Sequence, residues 1–295
     1  KDDGIVCKIN DQHFIVTTTT GGAAKVLFDM EEYAQTEWPH LNVYLNSITE
    51  QFSTFNISGP KSRAIMRKVF SDVDFSNDKF PFMSFKKVNY LDTEVRILRA
   101  SFTGELGYEI YVTPKYGLEL WEKFFRYGEN LGLIPYGTET MHLLRAEKGY
   151  IVVGQDTDGT VTPLDLNLNW MIGKNKKDFI GKRSLSRSDT SRKGRKQLVG
   201  ILAVDKSRII EEGQHVVESS SIPSKIKFPV KYLGHITSSY HSPTLNHYVA
   251  MAMIEGGNDL IGKKFYVTQN QSSENISVEI VKPVFLDPEN KRLLS

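Results

Sequence analysis

The chain has 295 residues, of which 24% are charged and 40% hydrophobic, and its formal net charge is +2 at pH 7. This length suits two or three domains with sizeable cores, and the near balance of charges gives no overall attraction to nucleic acid. No apolar run approaches the roughly 18 residues of a membrane span, and the start KDDGIVCKIN lacks signal-peptide character. The single cysteine, Cys7, excludes internal disulfides and cysteine-rich zinc sites. We expect a cytoplasmic protein that binds neither nucleic acid nor membranes.

The first 50 residues predict two strands, a helix and a third strand. Two strand-like runs, 4–9 and 13–18, flank the turn residues Asn10-Asp11-Gln12 and predict a hairpin. Apolar residues then recur at helical spacing as far as Trp38-Pro39, and residues 41–45 alternate as a strand.

Residues 51–173 predict a second unit in the order β-α-β-β-α. A strand ends at Ile57, a helix opens at Gly59-Pro60, strands cover 95–102 and 107–112, and a helix then contains Leu118 and Phe124. This order is typical of a ferredoxin-like (split βαβ) unit in an α+β protein. Residues 1–50 match only the second half of such a unit, so we expect the chain to begin inside a domain.

The stretch 136–163 joins a helix, an apolar run and a polar loop. Thr138 is suited to cap a helix that Gly149 ends, and residues 150–153 predict a short buried strand. The loop GQDTDG that follows resembles the start of a calcium-binding loop. However, Val161 and Asn167 replace the glycine and the last glutamate of that motif, which argues against calcium.

Residues 174–196 form a basic segment with ten Lys or Arg against two Asp. It is interpreted either as a solvated linker or as a surface that attracts a polyanion. From residue 197 short strands separated by turns predict an all-β barrel or sandwich over 197–295. Six strands are expected, at 198–204, 215–217, 232–238, 248–254, 265–268 and 276–281.

Several of these stretches, in this order, resemble one protein family. They are DDG at residues 2–4, SFTGELGYEI, LLRAEKGYIVVGQDTDGTVTP, DFIGKRS and TSSYHSPTL. Together they resemble the C-terminal, folate-binding region of the heterotetrameric sarcosine oxidase alpha subunit, which is similar to the aminomethyltransferase (T-protein) of the glycine cleavage system. The resemblance spans nearly the whole chain and implies the aminomethyltransferase folate-binding fold, followed by a C-terminal β-barrel.

The resemblance implies that Asp3 is catalytic. In the family pattern the second aspartate of an Asp-Asp pair lies beside the reactive nitrogens of tetrahydrofolate. Condensing a reduced folate with an imine donor has cationic, iminium-like character and releases a proton, and a carboxylate serves both needs. The alternative is that Asp2-Asp3-Gly4 is ordinary turn material near a terminus.

Four further residues are candidates for binding folate. The family's glutamate at the position of Glu109 binds the pterin edge, whose two parallel donors suit one carboxylate. Tyr108 and Phe102 are aromatic neighbours that could stack on a pterin, and Tyr240 could reach the site from the β domain. Their alternatives are a solvent-facing strand residue for Glu109, core packing for Tyr108 and Phe102, and a turn for Tyr240.

Two other pairs of residues bear on the assignment. Arg145 and Glu147 match the family's LRxE helix, and we expect them to form structural salt bridges. Met141 replaces a family arginine, and a threonine of the run 17–20 replaces an asparagine of the glycine-cleavage enzymes. Both differences argue against a glycine cleavage T-protein and are less damaging to a sarcosine oxidase assignment, because the longer matching stretches lie on that side.

The histidines never take a metal-ligand spacing such as HExxH, and GxGxxG, GxxxxGK[ST] and GxSxG motifs are absent. The sequence therefore predicts no metal site and no nucleotide or serine-hydrolase site. By the resemblance, the flavin and NAD of the parent complex bind elsewhere.

The expected function is tetrahydrofolate-dependent one-carbon transfer, which captures the methyl-derived carbon of oxidised sarcosine as 5,10-methylenetetrahydrofolate. Folate and other sarcosine oxidase subunits or domains are the expected partners. The alternatives are a free-standing aminomethyltransferase or folate-dependent demethylase, and a non-catalytic folate-binding regulatory protein. Because a half-domain is expected upstream, we also expect the isolated chain to bind folate weakly or to self-associate.

Overall fold

The computed structural model describes residues 2–221, 231–270 and 272–295, and the chain divides into two compact units. The first unit comprises Lys1–Gly137 together with Glu289–Ser295, and the second comprises Thr138–Pro288. The finer division predicted at residues 50, 173 and 196 stays a prediction.

The first unit contains a hairpin, a four-stranded sheet and four helices. Its elements in chain order are β1 (Val6–Asn10), β2 (His13–Val16), α1 (Ala23–Thr36), β3 (Ser53–Ser58), α2 (Ser62–Val69), β4 (Phe85–Tyr90), β5 (Thr93–Leu98), β6 (Gly107–Val112), α3 (Gly117–Gly128) and, after the second unit, α6 (Lys291–Leu294). The sheet has the order β3-β6-β5-β4, and each neighbouring pair is antiparallel.

One face of this sheet packs against helices α2 and α3. Alternate residues of the strands enter the core there, because successive side chains of a strand point to opposite faces. The core contains Tyr108 and Ile110 of β6, with Met66 of α2 and Phe124 of α3.

The other face of the sheet is covered by the hairpin β1-β2. Cys7 of β1 is buried against Leu98 and Ala100, and Ile5 and Ile15 pack at the edge of this second cluster. Helix α1, by contrast, buries none of its residues.

A buried arginine ties the end of the chain to the first unit. The guanidinium of Arg99 donates to the carbonyl oxygens of Phe80, Leu294 and Ser295, and to Oδ1 of Asn77. These bonds satisfy most of a buried charge and fix the last residues beside the sheet.

The second unit is built around a closed barrel. Its elements are α4 (Thr138–Glu147), the short helix α5 (Ser188–Ser191), β7 (Lys196–Ala203), β8 (His215–Val217), β9 (Gly234–Ser242), β10 (His247–Glu255), β11 (Lys264–Val267) and β12 (Ile276–Val281). The strands close in the order β10-β7-β12-β11-β8-β9. The predicted β-barrel, and with it the predicted fold class, is confirmed.

Asp156 is the centre of a buried polar network between α4 and the barrel. Its carboxylate accepts bonds from the guanidinium of Arg145 (2.6 Å), the hydroxyls of Thr237 and Ser238 (2.5 and 2.7 Å) and the backbone N–H of Val152 (2.9 Å). Neither Arg145 nor Asp156 has an exposed side chain. The expected structural role of Arg145 is confirmed, and both carboxylate oxygens of Asp156 accept hydrogen bonds from protein donors.

The basic segment is anchored at its C-terminal end. The guanidinium of Arg195 binds the carboxylate of Asp165 at 2.7 Å and donates to the carbonyl oxygen of Thr160. Burial raises the pKa of Asp165, but the bonds from Arg195 and Thr162 outweigh this effect and leave the pKa lowered. The other basic residues of the segment, from Lys174 to Lys193, are exposed. Neither interpretation of the segment is decided by this placement.

Two predicted strands are wrong. Residues 41–45 are irregular and largely exposed, with no strand paired to them among the described residues. Residues 150–153 are also irregular, because their backbone groups bond in turns: Tyr150 N–H donates to the carbonyl of Arg145, and the carbonyl of Val152 accepts from Asp156 N–H. Local alternation alone could not reveal that no ladder forms there.

The remaining differences concern strand β4 and the end of β5. The sequence FKKVNY of β4 was not predicted as a strand, because its paired lysines interrupt the apolar pattern; lysines are common on edge strands such as this one. The unit therefore has the order β-α-β-β-β-α. Strand β5 ends at Leu98 rather than at residue 102. The next residue, Arg99, directs its side chain to the buried carbonyl oxygens of Phe80 and of the last two residues.

Replacing Asp156 with alanine is expected to destabilise the protein by about 3–5 kcal/mol, since it leaves Arg145 buried without its counter-charge. Urea denaturation measures this loss. Asp158→Ala is the matched control, because that carboxylate lies in the same loop but is exposed and bonds to Thr160. Equal, small losses for both variants would contradict the proposed importance of the network.

Candidate functional site

Strand β6 presents two polar side chains on the face that the hairpin covers. Tyr108 and Ile110 enter the helix-packed core, so the alternation of the strand places Glu109 and Tyr111 on the opposite face. β6 pairs with β3 on one side and with β5 on the other, which holds Glu109 in the interior of the sheet.

The carboxylate of Glu109 is half-buried and held by one neighbour. Tyr111 donates its hydroxyl to Oε2 of Glu109 at 2.6 Å. Burial, and then the charge of Glu109, raise the pKa of Tyr111, so its hydroxyl keeps the proton that it donates. Among the described residues nothing donates to Oε1, so the carboxylate keeps acceptor capacity for a ligand.

A second polar group lies directly across the ladder from Glu109. Asn56 of β3 is its cross-strand partner, and Oδ1 of Asn56 accepts hydrogen bonds from the hydroxyls of Tyr136 (2.9 Å) and Ser58 (2.6 Å). Burial raises the pKa of Tyr136, the bond with Ser58 opposes this, and the charge of Glu109 adds to the rise. Glu109, Asn56 and Tyr136 therefore form one polar group on this face.

The hairpin places the N-terminal segment close to the same face. Leu98, which packs on Cys7, is also the cross-strand neighbour of Glu109. Burial raises the pKa of the Cys7 thiol, and the charge of Glu109 raises it further. Asp3 precedes Cys7 by four residues, a span of at most ~14 Å of extended chain.

Asp3 presents its carboxylate at the start of this hairpin. The residue is exposed overall, but crowding of its carboxyl by the neighbouring chain raises its pKa; a bond from Gly4 N–H opposes the rise and the charge of Asp2 adds to it. A carboxylate with a raised pKa binds a proton more tightly than an ordinary aspartate, which suits a general base.

The other predicted site residues lie in different surroundings. Tyr108 is fully buried between Phe75 and Phe80, in the core on the far side of the sheet from Glu109. A ligand on the Glu109 face would therefore not meet its ring. Phe102 is half-buried in the turn between β5 and β6. Tyr240 belongs to β9 of the second unit, where the guanidinium of Arg145 lies 5.8 Å from its ring centroid. For Phe102 and Tyr240 a folate-binding role stays a prediction.

The chain matches two family models in succession. Residues 1–176 match the GCVT N-terminal domain, and residues 196–287 match the glycine cleavage T-protein C-terminal barrel domain. The chain belongs to the glycine cleavage T-protein family. The predicted resemblance is thereby confirmed.

Among relatives of this T-protein family member, sarcosine oxidase subunit alpha of Corynebacterium sp. (strain U-96) is 44% identical over 99% of this chain. The same subunit of Rhizobium meliloti (strain 1021) is 35% identical over 99% of this chain. The chain spans only 30% and 29% of the length of these two relatives. The aminomethyltransferase of Thermosipho melanesiensis is 30% identical over 87% of this chain and 64% of its own length.

A solved structure of the glycine cleavage system aminomethyltransferase T from Bartonella henselae superimposes with a TM-score of 0.78 at 20% identity. The match covers 97% of this chain and 72% of the solved one. At this identity the likeness establishes the T-protein fold and nothing further.

Neither a cluster of potential metal ligands nor a membrane-spanning helix occurs in the described part of the chain. Within residues 2–221, 231–270 and 272–295, His, Cys, Asp and Glu side chains form no group of three or more that could hold a metal ion. In the same ranges the helices are either too short or too polar to cross a membrane.

Sequence reasoning missed three polar neighbours of Glu109. Tyr111 had a usable signal, because it follows Glu109 by two residues and period two places both on one face. Asn56 and Tyr136 had none, because their proximity depends on the register of β3 against β6 and on the path of the chain after α3.

The sole cysteine gives a test of the packing that brings the hairpin to the Glu109 face. Cys7 in the folded protein is expected to react with a disulfide reagent at pH 8 much more slowly than in urea, since it is buried and its thiolate is disfavoured. Gly4→Val should accelerate the reaction, because a Cβ at Gly4 would lie 1.9 Å from the carbonyl oxygen of Thr17. The control is Gly159→Val, at a glycine remote from the hairpin in sequence, where an added Cβ would meet nothing within 4 Å. Rapid reaction of unmodified folded protein would show that the hairpin does not cover this face.

Proposed function

We propose that this chain is a folate-binding, one-carbon-transfer module that captures the methyl-derived carbon of oxidised sarcosine as 5,10-methylenetetrahydrofolate. Membership of the T-protein family, whose aminomethyltransferases bind tetrahydrofolate, supports the folate-dependent part. The identity of 44% to a sarcosine oxidase alpha subunit over 99% of the chain supports sarcosine as the carbon source.

The observation that carries the proposal is that the hairpin directly after the Asp3 segment packs on the sheet face that bears Glu109. Glu109 is a half-buried carboxylate with acceptor sites left over after its bond with Tyr111. The pterin ring of a folate offers an N–H and an amino group side by side, and one carboxylate can accept both bonds. The residues present therefore fit the pterin edge, and Glu109 is the residue we assign to hold it.

Asp3 is the residue we assign to the chemistry. When bound, the reduced folate supplies the nitrogens that take up the one-carbon unit. A nearby carboxylate stabilises the positive charge that develops during the transfer and accepts the proton released. The raised pKa of Asp3 supports this role, because it makes the carboxylate a better proton acceptor than an ordinary aspartate.

The oxidation that generates the one-carbon donor is assigned to other parts of the complete protein. The chain spans 30% of the length of its sarcosine oxidase relatives. We propose that flavin and NAD bind outside these 295 residues, and that other subunits or domains deliver the oxidised substrate. A free-standing aminomethyltransferase is the second candidate, and the identity of 30% to such an enzyme favours it.

Glu109→Gln is expected to weaken folate binding by about 1–3 kcal/mol, because an amide N–H would then face a pterin N–H. Calorimetric titration of a reduced folate into the complete protein measures this change. Glu105→Gln is the matched control, since Glu105 precedes the same strand and pairs with Arg292. If Glu109→Gln and Glu105→Gln bind folate with the same affinity as unmodified protein, Glu109 does not hold the pterin.

Asp3→Asn is expected to abolish carbon transfer while folate affinity changes only a few-fold, because the substitution keeps the shape and removes the charge. The readout is the product of sarcosine turnover: 5,10-methylenetetrahydrofolate should be replaced by free formaldehyde. Asp11→Asn, at the exposed turn of the same hairpin, is the control and should form the folate product normally. Folate-product formation surviving in Asp3→Asn, or folate binding lost with it, would refute the catalytic assignment.

A further inference from the structure

The carboxylate of Asp2 joins two separate segments of the chain. Its Oδ1 accepts the backbone N–H of Asp3 and the backbone N–H of Thr19, both at 2.8 Å. Its Oδ2 accepts the hydroxyl of Thr19 at 3.0 Å. Three donors thus converge on one side chain immediately before the residue assigned to the chemistry.

The segments around this carboxylate approach each other closely at two glycines, so a larger residue would collide with the Thr17 backbone at Gly4 and would displace the Asp2 side chain at Gly22. A Cβ at Gly22 would lie 1.6 Å from Oδ2 of Asp2, and one at Gly4 would lie 1.9 Å from the carbonyl oxygen of Thr17. Thr19 also caps the short 3-10 turn Thr20–Gly22 by accepting the N–H of Gly22. Asp2 and Gly4 therefore lie directly against Thr17, Thr19 and Gly22.

The lowered pKa of Asp2 is consistent with a carboxylate that accepts hydrogen bonds from Thr19 and Asp3. Partial burial raises the pKa of Asp2, but the bonds from Thr19 and from Asp3 N–H outweigh it, and the pKa is lowered. Asp2 is therefore a carboxylate at neutral pH and can accept all three bonds. Because its pKa is lowered and its oxygens already accept three hydrogen bonds, Asp2 is a poorer proton acceptor than Asp3, whose pKa is raised.

We infer that Asp2 is a positioning residue, whose carboxylate fixes the backbone of Asp3 against Thr19 and thereby places the Asp3 carboxylate for one-carbon transfer. This inference rests on the proposed function, because it assumes that Asp3 acts on the bound substrates. A displacement of about 1 Å at a reacting group is enough to slow catalysis roughly 10²-fold.

Kinetics of the complete protein provide the first test. Asp2→Ala should lower kcat for folate-product formation by roughly 10²-fold and leave the KM for folate nearly unchanged, since Glu109 and not Asp2 holds the pterin. Asp2→Asn should restore most of kcat, because the amide oxygen still accepts both backbone N–H groups. Thr19→Val removes the hydroxyl that donates to Asp2 and caps the turn at Gly22, but it keeps the bond from Thr19 N–H to Asp2. It should give a smaller loss than Asp2→Ala and covers the case in which Asp2→Ala fails to fold.

Hydrogen–deuterium exchange of peptides from residues 2–22 provides a second readout that does not depend on activity. Asp2→Ala should increase exchange at the amides of Asp3 and Thr19, whereas Asp2→Asn should not. If Asp3→Asn proved fully active, the proposed function would fail, but the exchange result would still show whether Asp2 is the anchor. Unchanged exchange and unchanged kcat in Asp2→Ala would overturn the inference. An Asp2→Asn variant as slow as Asp2→Ala would also overturn it, because the amide oxygen would keep the backbone hydrogen bonds without restoring the reaction.

Discussion

The sheet of the first unit is packed on both faces, and the arrangement of the candidate site follows from this constraint. Strand β6 pairs on both sides and sends Tyr108 and Ile110 into the helix-packed core. Its alternate residues must then face the hairpin, which brings Glu109 to the side where Cys7 and Leu98 pack. The segment that contains Asp3 leads directly into this hairpin.

Three irregular segments of this chain are held in position by carboxylates that each accept several hydrogen bonds. Asp2 holds the segment before β1, Asp156 holds the loop after α4, and Asp165 holds Arg195 at the end of the basic segment. In each case at least one donor comes from a part of the chain distant in sequence, so the bonds fix the path of a loop rather than the stability of one helix or strand. A buried or half-buried charge is tolerated at these positions because it is fully hydrogen-bonded.

The sequence predicted regular elements well where local pattern decides structure. All six barrel strands and the helices α1 to α4 were expected, because alternation and helical spacing are visible in the chain itself. The prediction of a strand at 41–45 is wrong because alternation in the sequence does not supply a pairing partner. Strand β4 is not predicted because Lys86 and Lys87 interrupt its apolar pattern. At the site, Asp3 and Glu109 were named from the family resemblance, while Asn56 and Asp2 depend on register and on long-range bonds that no local pattern contains.

The central claim is that the face of β6 bearing Glu109 is the pterin-binding surface. A crystal structure of the complete protein with a stable reduced folate, such as 5-formyltetrahydrofolate, tests it most directly. The account predicts that the pterin N–H and amino group lie within hydrogen-bond distance of the Glu109 carboxylate, with the folate extending toward Asp3. A pterin bound elsewhere, or stacked in the core region around Tyr108, would contradict the account.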